Sequence, residues 1–186
     1  MTLLQITSIK ELDQAVHAVR MTGERTVRAL RDLLANESNS FQVLRLLKFC
    51  DSARPPSEER SLNLIEQVNQ TLTSLTRLQA GRWVVEKHPA LLLHGLCIQL
   101  GPHTGFDLHS IEGGLLAAEV FAASHPARHD RLRQDVARLA GSPDVLHRYV
   151  FFSCPGFAMG RQMALETVPG IEVWSLSADQ GLKGTP

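Results

Sequence analysis

The segment GFDLHSIEGGLLAAEVFAA, at positions 105–123, constrains the fold of this sequence more than any other part of it. Two apolar, strand-like runs flank the turn signal Glu112-Gly113-Gly114, a pattern that is typical of an antiparallel hairpin. A three-residue loop needs one left-handed backbone position, which glycine adopts without strain. The spacing therefore predicts that Ile111 lies opposite Leu115, and it sets the register of both strands.

That register brings two acidic residues together. Directly opposite residues of a hairpin share a face of the sheet, so Asp107 is expected to face Glu119. A two-residue Gly-Gly loop would instead place the two acids on opposite faces. Glu119 lies inside the apolar run LLAAEVFAA, where we expect an acid to be buried, paired or functional. In the alternative interpretation, Asp107 merely begins a strand and Glu119 is an exposed strand residue.

The rest of the chain is predicted to be helical first and mixed α/β afterwards. Ser8 and Glu11 have capping-box spacing at the start of one helix, and a second short helix is expected at 41–50. The prolines of DSARPPS, at 51–57, interrupt the helical pattern, and Ser57 can cap a further helix that reaches about Gly81. We expect strands at 91–100, 105–111, 115–123, 147–153 and 171–176, and helices at 126–140 and 155–168. The interpretation is thus an N-terminal helical segment, 1–56, followed by an α/β core, 57–186.

Composition limits the class of protein. A chain of 186 residues with 44% apolar side chains has the make-up of a soluble globular protein. Its 19 basic and 19 acidic residues balance, which argues against a general nucleic-acid coat protein but leaves room for a local basic groove. The three cysteines form no CxxC pair, so we expect a reducing, cytoplasmic environment. Neither a signal peptide nor a membrane-spanning segment is expected.

Two carboxylates on adjacent strands can share a Mg²⁺ ion, because Mg²⁺ prefers oxygen ligands and keeps several waters. With this acid pair and the predicted order α-β-β-β-α-β, residues 57–154 resemble the PD-(D/E)XK nuclease superfamily, which has the restriction-endonuclease-like fold. The resemblance implies an α/β fold with an αβββαβ core and a mixed central sheet. It also implies that Asp107 and Glu119 bind the metal and that DNA phosphodiesters are the substrate. An acid on the first core helix often joins such a site, and Glu66 is the best match, with Glu86 behind it.

The sequence departs from the family pattern at two positions. Phe106 replaces the proline before the first acid, and Phe121 replaces the lysine that orients the attacking water and stabilises developing charge. Some members recruit a polar or basic residue from the following helix, where the candidates here are Arg128, Arg131 and Gln134. Two main interpretations stay open: a Mg²⁺-dependent nuclease acting on DNA, and a catalytically inactive nuclease-fold protein that serves as an interaction or assembly module. In a third, the chain is an unrelated α/β protein with structural acids.

Overall fold

The structure is a computed structural model that describes residues 2–49, 62–101, 103–123 and 130–177. Its strands are β1 (Thr2–Ile6), β2 (Leu96–Leu100), β3 (Leu108–Ser110), β4 (Leu116–Ala122), β5 (His147–Ser153), β6 (Gly160–Arg161) and β7 (Ile171–Ser175). Its α-helices are α1 (Ile9–Asn36), α2 (Ser40–Phe49), α3 (Leu64–Lys87), α4 (Leu91–His94) and α5 (Asp130–Ala140). Within these ranges, no helix is both long enough and apolar enough to cross a membrane.

All seven strands form one mixed sheet in the order β1-β2-β3-β4-β5-β7-β6. Strands β1 to β4 are antiparallel neighbours, β4, β5 and β7 are parallel, and β6 is an antiparallel edge strand. The predicted mixed α/β architecture is therefore confirmed. The HRYVFFS run forms β5, which lies in the interior of the sheet between β4 and β7.

Helices cover both faces of this sheet. On one face, α3 packs Leu78 and Val84 against Ile98, and α1 packs beside α3. On the opposite face, α5 packs Val136 and Leu139 against the sheet. Neighbouring residues of β5 point into these two separate clusters, which explains why the whole centre of this strand is apolar.

The two long helices begin at capping boxes. Ser8 and Glu11 form the predicted box at the start of α1. Asn63 and Glu66 form a second box at the start of α3, whereas the predicted cap Ser57 lies outside the described residues. Helix α3 does not end at Gly81, as predicted, but continues to Lys87. Gly81 instead permits close packing, since a Cβ there would lie 2.5 Å from Ile98 Cδ1.

Three other segments differ from expectation. Residues 2–6 form β1, which was not predicted and which pairs with β2. Residues 91–94 are helical rather than extended, because their amides bond carbonyls three residues earlier, beginning with Leu91 to His88. The predicted helix at 155–168 is replaced by β6 and a short 3-10 turn. Gly156 and Gly160 have φ values of 89° and 119°, and positive φ is incompatible with a continuous right-handed helix.

Candidate functional site

The hairpin register brings Asp107 and Glu119 into contact. Leu108 pairs with Ala118 and His109 with Ala117, so the same register, continued by one residue, places Asp107 opposite Glu119. This is the predicted register, and Gly114 supplies the left-handed position with a φ of 84°. The two carboxyl groups are within hydrogen-bonding distance of each other. They lie at the β3–β4 pair on the side of the sheet that α5 covers.

Asp107 is 1% exposed and both of its oxygens have protein partners. Oδ2 accepts a hydrogen bond of 2.7 Å from the backbone N–H of Val120. Oδ1 forms an ion pair with Arg77, and His103 Nε2 lies 3.3 Å from the same oxygen. These contacts hold the carboxyl group in one orientation beside β4.

Arg77 reaches this acid from α3. Its Nη1 also donates hydrogen bonds to the backbone carbonyls of Gln99 at 3.0 Å and Gly101 at 3.2 Å. Burial lowers the pKa of the Arg77 guanidinium, and the negative charge of Asp107 opposes that shift. The group therefore ties α3 to the end of β2 and to the acid at the same time.

Unlike the carboxyl oxygens of Asp107, those of Glu119 lack hydrogen-bond donors among the described residues. Its side chain is fully buried, yet neither carboxyl oxygen accepts a hydrogen bond from a residue that the structure describes. Arg138 Nη1 lies 3.1 Å from Oε1 as an ion-pair contact. Burial, followed by the charge and hydrogen bond of Asp107, raises the pKa of Glu119 to about 8. The direction of this shift follows from burial and from the repulsion between two adjacent carboxylates.

Helix α5 adds a second ion pair next to the acids. Arg131 Nε donates to both oxygens of the buried Asp135, at 3.2 and 3.1 Å. Burial raises the pKa of Asp135, although Arg131 counteracts it. Burial on its own lowers the pKa of Arg131, but the carboxylate of Asp135 more than compensates, and the acid pair adds to the rise. The site is therefore rich in both charges, and it contains three acids and three arginines: Asp107, Glu119, Asp135, Arg77, Arg131 and Arg138.

Glu66, which was expected to join the acid pair, lies at the start of α3 instead. The side chain of Glu66 accepts a hydrogen bond from the backbone N–H of Asn63 in the capping box. It lies three helical turns before Arg77, roughly 16 Å along the axis of α3. Gln134 is exposed on α5, and Arg128 lies outside the described residues. Across the described part of the chain, no group of three or more His, Cys, Asp or Glu side chains is arranged to hold a metal ion.

Phe121 occupies an apolar layer where the family pattern would have lysine. Its ring stacks on Phe152 with centroids 5.7 Å apart, and both side chains belong to the cluster beneath α5. No charge replaces the lysine at this position of β4. Arginines reach the two acids from other elements, Arg77 of α3 at Asp107 and Arg138 of α5 at Glu119.

Asp107 and Glu119 offer carboxylate oxygens, which are the donor atoms that a hard divalent cation prefers. Both oxygens of Glu119 lack a hydrogen-bond donor and lie against Asp107. Mg²⁺ is commonly bound by one or two carboxylates together with waters. Such an ion would be held by Glu119 and one oxygen of Asp107, in competition with Arg77 and His103 for Asp107 Oδ1.

No family model, curated protein or solved structure matches this chain. The functional assignment therefore depends on the geometry of the site and on the order of the elements around it.

Proposed function

We propose that this protein is a metal-dependent, nuclease-like protein that acts on DNA phosphodiesters, with Asp107 and Glu119 as its Mg²⁺ ligands. The observation that carries the proposal is the fully buried carboxyl group of Glu119, which contacts Asp107 and accepts no hydrogen bond from a described residue. A buried carboxylate whose oxygens accept no hydrogen bond is costly to the folded state. A divalent cation would satisfy both acids at once.

The order of the elements supports a restriction-endonuclease-like core. Helix α3, strands β2, β3 and β4, helix α5 and strand β5 occur in the order αβββαβ, with the single-turn helix α4 inserted between α3 and β2. The three strands are antiparallel neighbours, and β5 is parallel to β4. The two helices cover opposite faces of the sheet. This arrangement is the one that the sequence resemblance implies.

Each residue of the site has a defined task in the proposed reaction. When bound, Mg²⁺ would act as a Lewis acid towards the phosphodiester and would activate a water. Asp107 and Glu119 hold the ion, and Arg77 fixes the orientation of Asp107. Arg138 contacts Glu119 and is half exposed, so part of its guanidinium is accessible to a phosphate oxygen.

The role of the absent lysine falls to α5 in this proposal. An arginine hardly ever deprotonates, so it would fix charge and water position rather than transfer a proton. Among the expected substitutes, Arg131 lies next to the acids, and Gln134 is exposed one turn further along. Arg138 Nη1 lies 3.1 Å from Glu119 Oε1, and this contact favours Arg138 over both as the substitute for the lysine.

Metal binding and DNA cleavage test the proposal directly. We expect calorimetric titration to show one Mn²⁺ site and supercoiled DNA to be nicked when Mg²⁺ or Mn²⁺ is present. Glu119→Gln and Asp107→Asn should abolish both. Asp144→Asn removes an exposed acid outside the site and should change neither. Folded protein that binds no divalent ion and cuts neither single- nor double-stranded DNA would refute the enzymatic function.

A second candidate function is a catalytically inactive nuclease fold that serves as an interaction or assembly module. Phe121 favours it, because an apolar ring stacked on Phe152 cannot perform the task of lysine. Helix α2 also exposes large apolar side chains, namely Phe41, Leu44 and Phe49. In this case Glu119→Gln would leave the cellular role intact, whereas replacing Phe41 and Leu44 by serine would impair it.

We also propose that the protein works in the cytoplasm. Cys97 and Cys154 are both buried free thiols, and burial raises the pKa of each. Such thiols resist oxidation and metal binding, which require the thiolate form. Localisation of a tagged protein by cell fractionation would test the assignment.

A further inference from the structure

A groove of about 670 Å³ lies between helices α1 and α3. The two helices are antiparallel, because Asp13 near the start of α1 pairs with Arg82 near the end of α3. Gly23, in the middle of α1, lies beside Thr71 in the first half of α3, where a Cβ on the glycine would lie 3.1 Å from Thr71 Cγ2. Both of these residues line the groove, so the close approach of the helices forms its floor.

Apolar side chains of both helices are exposed along this groove. Val27 of α1 is 48% exposed, and Val68 and Leu72 of α3 are 39% and 49% exposed. Helical spacing places Leu34 on the same stripe of α1 as Val27, and Ile65 on the same stripe of α3 as Val68. Both are also exposed. A helix normally buries its apolar stripe against another element, so these exposed stripes point to a further element that covers them.

Helix α1 buries few of its residues for its length. It has 28 residues, and the three that are buried are Leu12, Thr22 and Thr26. No residue of α1 beyond Thr26 is buried by the part of the chain that the structure describes. The second half of α1 is therefore covered incompletely, and another helix packed into the groove would complete its packing.

The charges of the groove indicate the chemistry of that helix. Arg20, Arg28 and Arg31 line the groove from α1, and Glu24 is the one acid in its lining, which leaves an excess of two positive charges. Among the described residues, none of the three arginines has an ion-pair partner. Guanidinium groups form their strongest contacts with carboxylates, so the complementary surface is acidic.

We propose that this groove binds an amphipathic helix of a partner protein, with apolar side chains on one face and acidic side chains beside them. The apolar face packs on Val27, Val68 and Leu72, as in other helix-in-groove complexes. The flanking carboxylates pair with Arg28 and Arg31. The groove follows α1 from Arg20 to Arg31, which is roughly 16 Å, or three turns of a partner helix.

Sequence and charge disfavour two other occupants. The three longest stretches of the chain outside the described residues are 50–61, 124–129 and 178–186, and together they contain one Leu and no Ile, Val, Phe or Met. They supply no apolar stripe for the groove. A second copy of the chain would bring the arginines of its own α1, or Arg45 and Lys48 of α2, which contains no acid. Like charges would then meet, which opposes association.

A synthetic helix provides the probe. A fluorescein-labelled peptide of about 15 residues, with leucine at i, i+3, i+4 and i+7 and with glutamate and alanine elsewhere, has the required amphipathic pattern. We expect fluorescence polarisation to show saturable binding that weakens as salt is added. One control peptide has lysine in place of every glutamate, and a second has the same composition with the leucines distributed around the helix. Both should bind at least tenfold more weakly.

Variants assign the binding to the groove. Combined Arg28→Glu and Arg31→Glu should weaken the acidic peptide at least tenfold and should strengthen the lysine peptide relative to wild type. Leu72→Ser should weaken the acidic peptide severalfold. Arg25→Glu changes an exposed arginine of the same helix that does not line the groove and should have little effect. Glu119→Gln should also leave affinity unchanged, so this inference can succeed or fail independently of the nuclease proposal.

Four results would overturn the inference. One is the absence of saturable binding of the acidic peptide up to millimolar concentration by the folded protein. Another is equal affinity for the acidic and lysine peptides. A third is a dimer of the free protein, measured by light scattering, that Leu72→Ser converts to monomer, because a second copy would then cover the groove. The fourth is tighter binding of an oligothymidylate than of the peptide, lost in the Arg28→Glu and Arg31→Glu variant, which would assign the groove to nucleic acid.

Discussion

Arg77 and Asp107 form a buried ion pair that connects helix α3 to the residue just before β3. Nearly all of both side chains is removed from solvent, and Arg77 also caps the carbonyls of Gln99 and Gly101. The acid of the proposed site is therefore part of the framework that holds the sheet against α3. Its orientation is set before any ligand binds.

Removal of Arg77 should be strongly destabilising. Arg77→Met would leave Asp107 buried without its main counter-charge, and breaking one side of a buried pair costs about 3–5 kcal/mol. The free energy of unfolding, measured by urea denaturation, provides the test. Arg82→Met is the matched control, because its partner Asp13 is exposed and exposed pairs contribute about 0–1 kcal/mol. Equal effects of the two substitutions would show that the buried pair is not structural.

The raised pKa of Glu119 should make the protein less stable as pH rises. The folded-state pKa of about 8 lies above 4.5, the ordinary pKa of a glutamate, so between these values the folded state binds more protons than the unfolded state. Stability then falls with increasing pH by up to about 1.4 kcal/mol per unit. Glu119→Gln removes this titration, so the stability of wild type relative to the variant should decline from pH 5 to pH 8. A difference that is independent of pH would contradict the raised pKa.

The buried side of α5 should have its main anchor at Leu139. Leu139 is fully buried, whereas Leu132 is only partly buried. Leu139→Ala should therefore cost about 2–5 kcal/mol in unfolding free energy, and Leu132→Ala distinctly less. Thermal and urea denaturation of the two variants would compare them. If Leu132→Ala lowered the free energy of unfolding more than Leu139→Ala, Leu139 would not be the main anchor of α5.

Gly81 should resist substitution despite its position inside a helix. Alanine normally stabilises a helix by about 1 kcal/mol relative to glycine. At position 81, however, its Cβ would clash with Ile98 Cδ1, so we expect Gly81→Ala to destabilise by about 1–3 kcal/mol. Ile98→Val removes the clashing methyl group and should recover part of that loss in the double variant. Additive effects of the two substitutions would show that they do not interact.

The hairpin could be derived from sequence because its determinants are local. One loop containing Gly114 and the alternation on either side of it are sufficient to place Asp107 opposite Glu119. The strand HRYVFFS was equally recognisable, because it is continuously apolar and β-branched or aromatic at its centre. In both cases a single stretch of chain contains the whole signal.

The partners of the acids could not be derived in the same way. Arg77 is 30 positions from Asp107 in the sequence, and only the packing of α3 on the sheet brings them together. In the sequence, Arg77 stands out only as a charged residue next to the apolar positions Leu75 and Leu78. That placement indicates a buried charge but does not identify its partner. Strand β1 was missed for a related reason, since its short run acquires strand character only by pairing with β2.

The pairing of β1 with β2 also determines which N-terminal residues a soluble fragment of the chain must include. Strand β2 is buried along its whole length, and β1 occupies the edge that it would otherwise expose. A fragment that begins at residue 57 would present unpaired backbone groups of an apolar strand to solvent, which is a template for aggregation. Insolubility of such a fragment would therefore reflect an uncovered sheet edge, and an added β1 peptide, TLLQI with polar flanks, should compete with self-association.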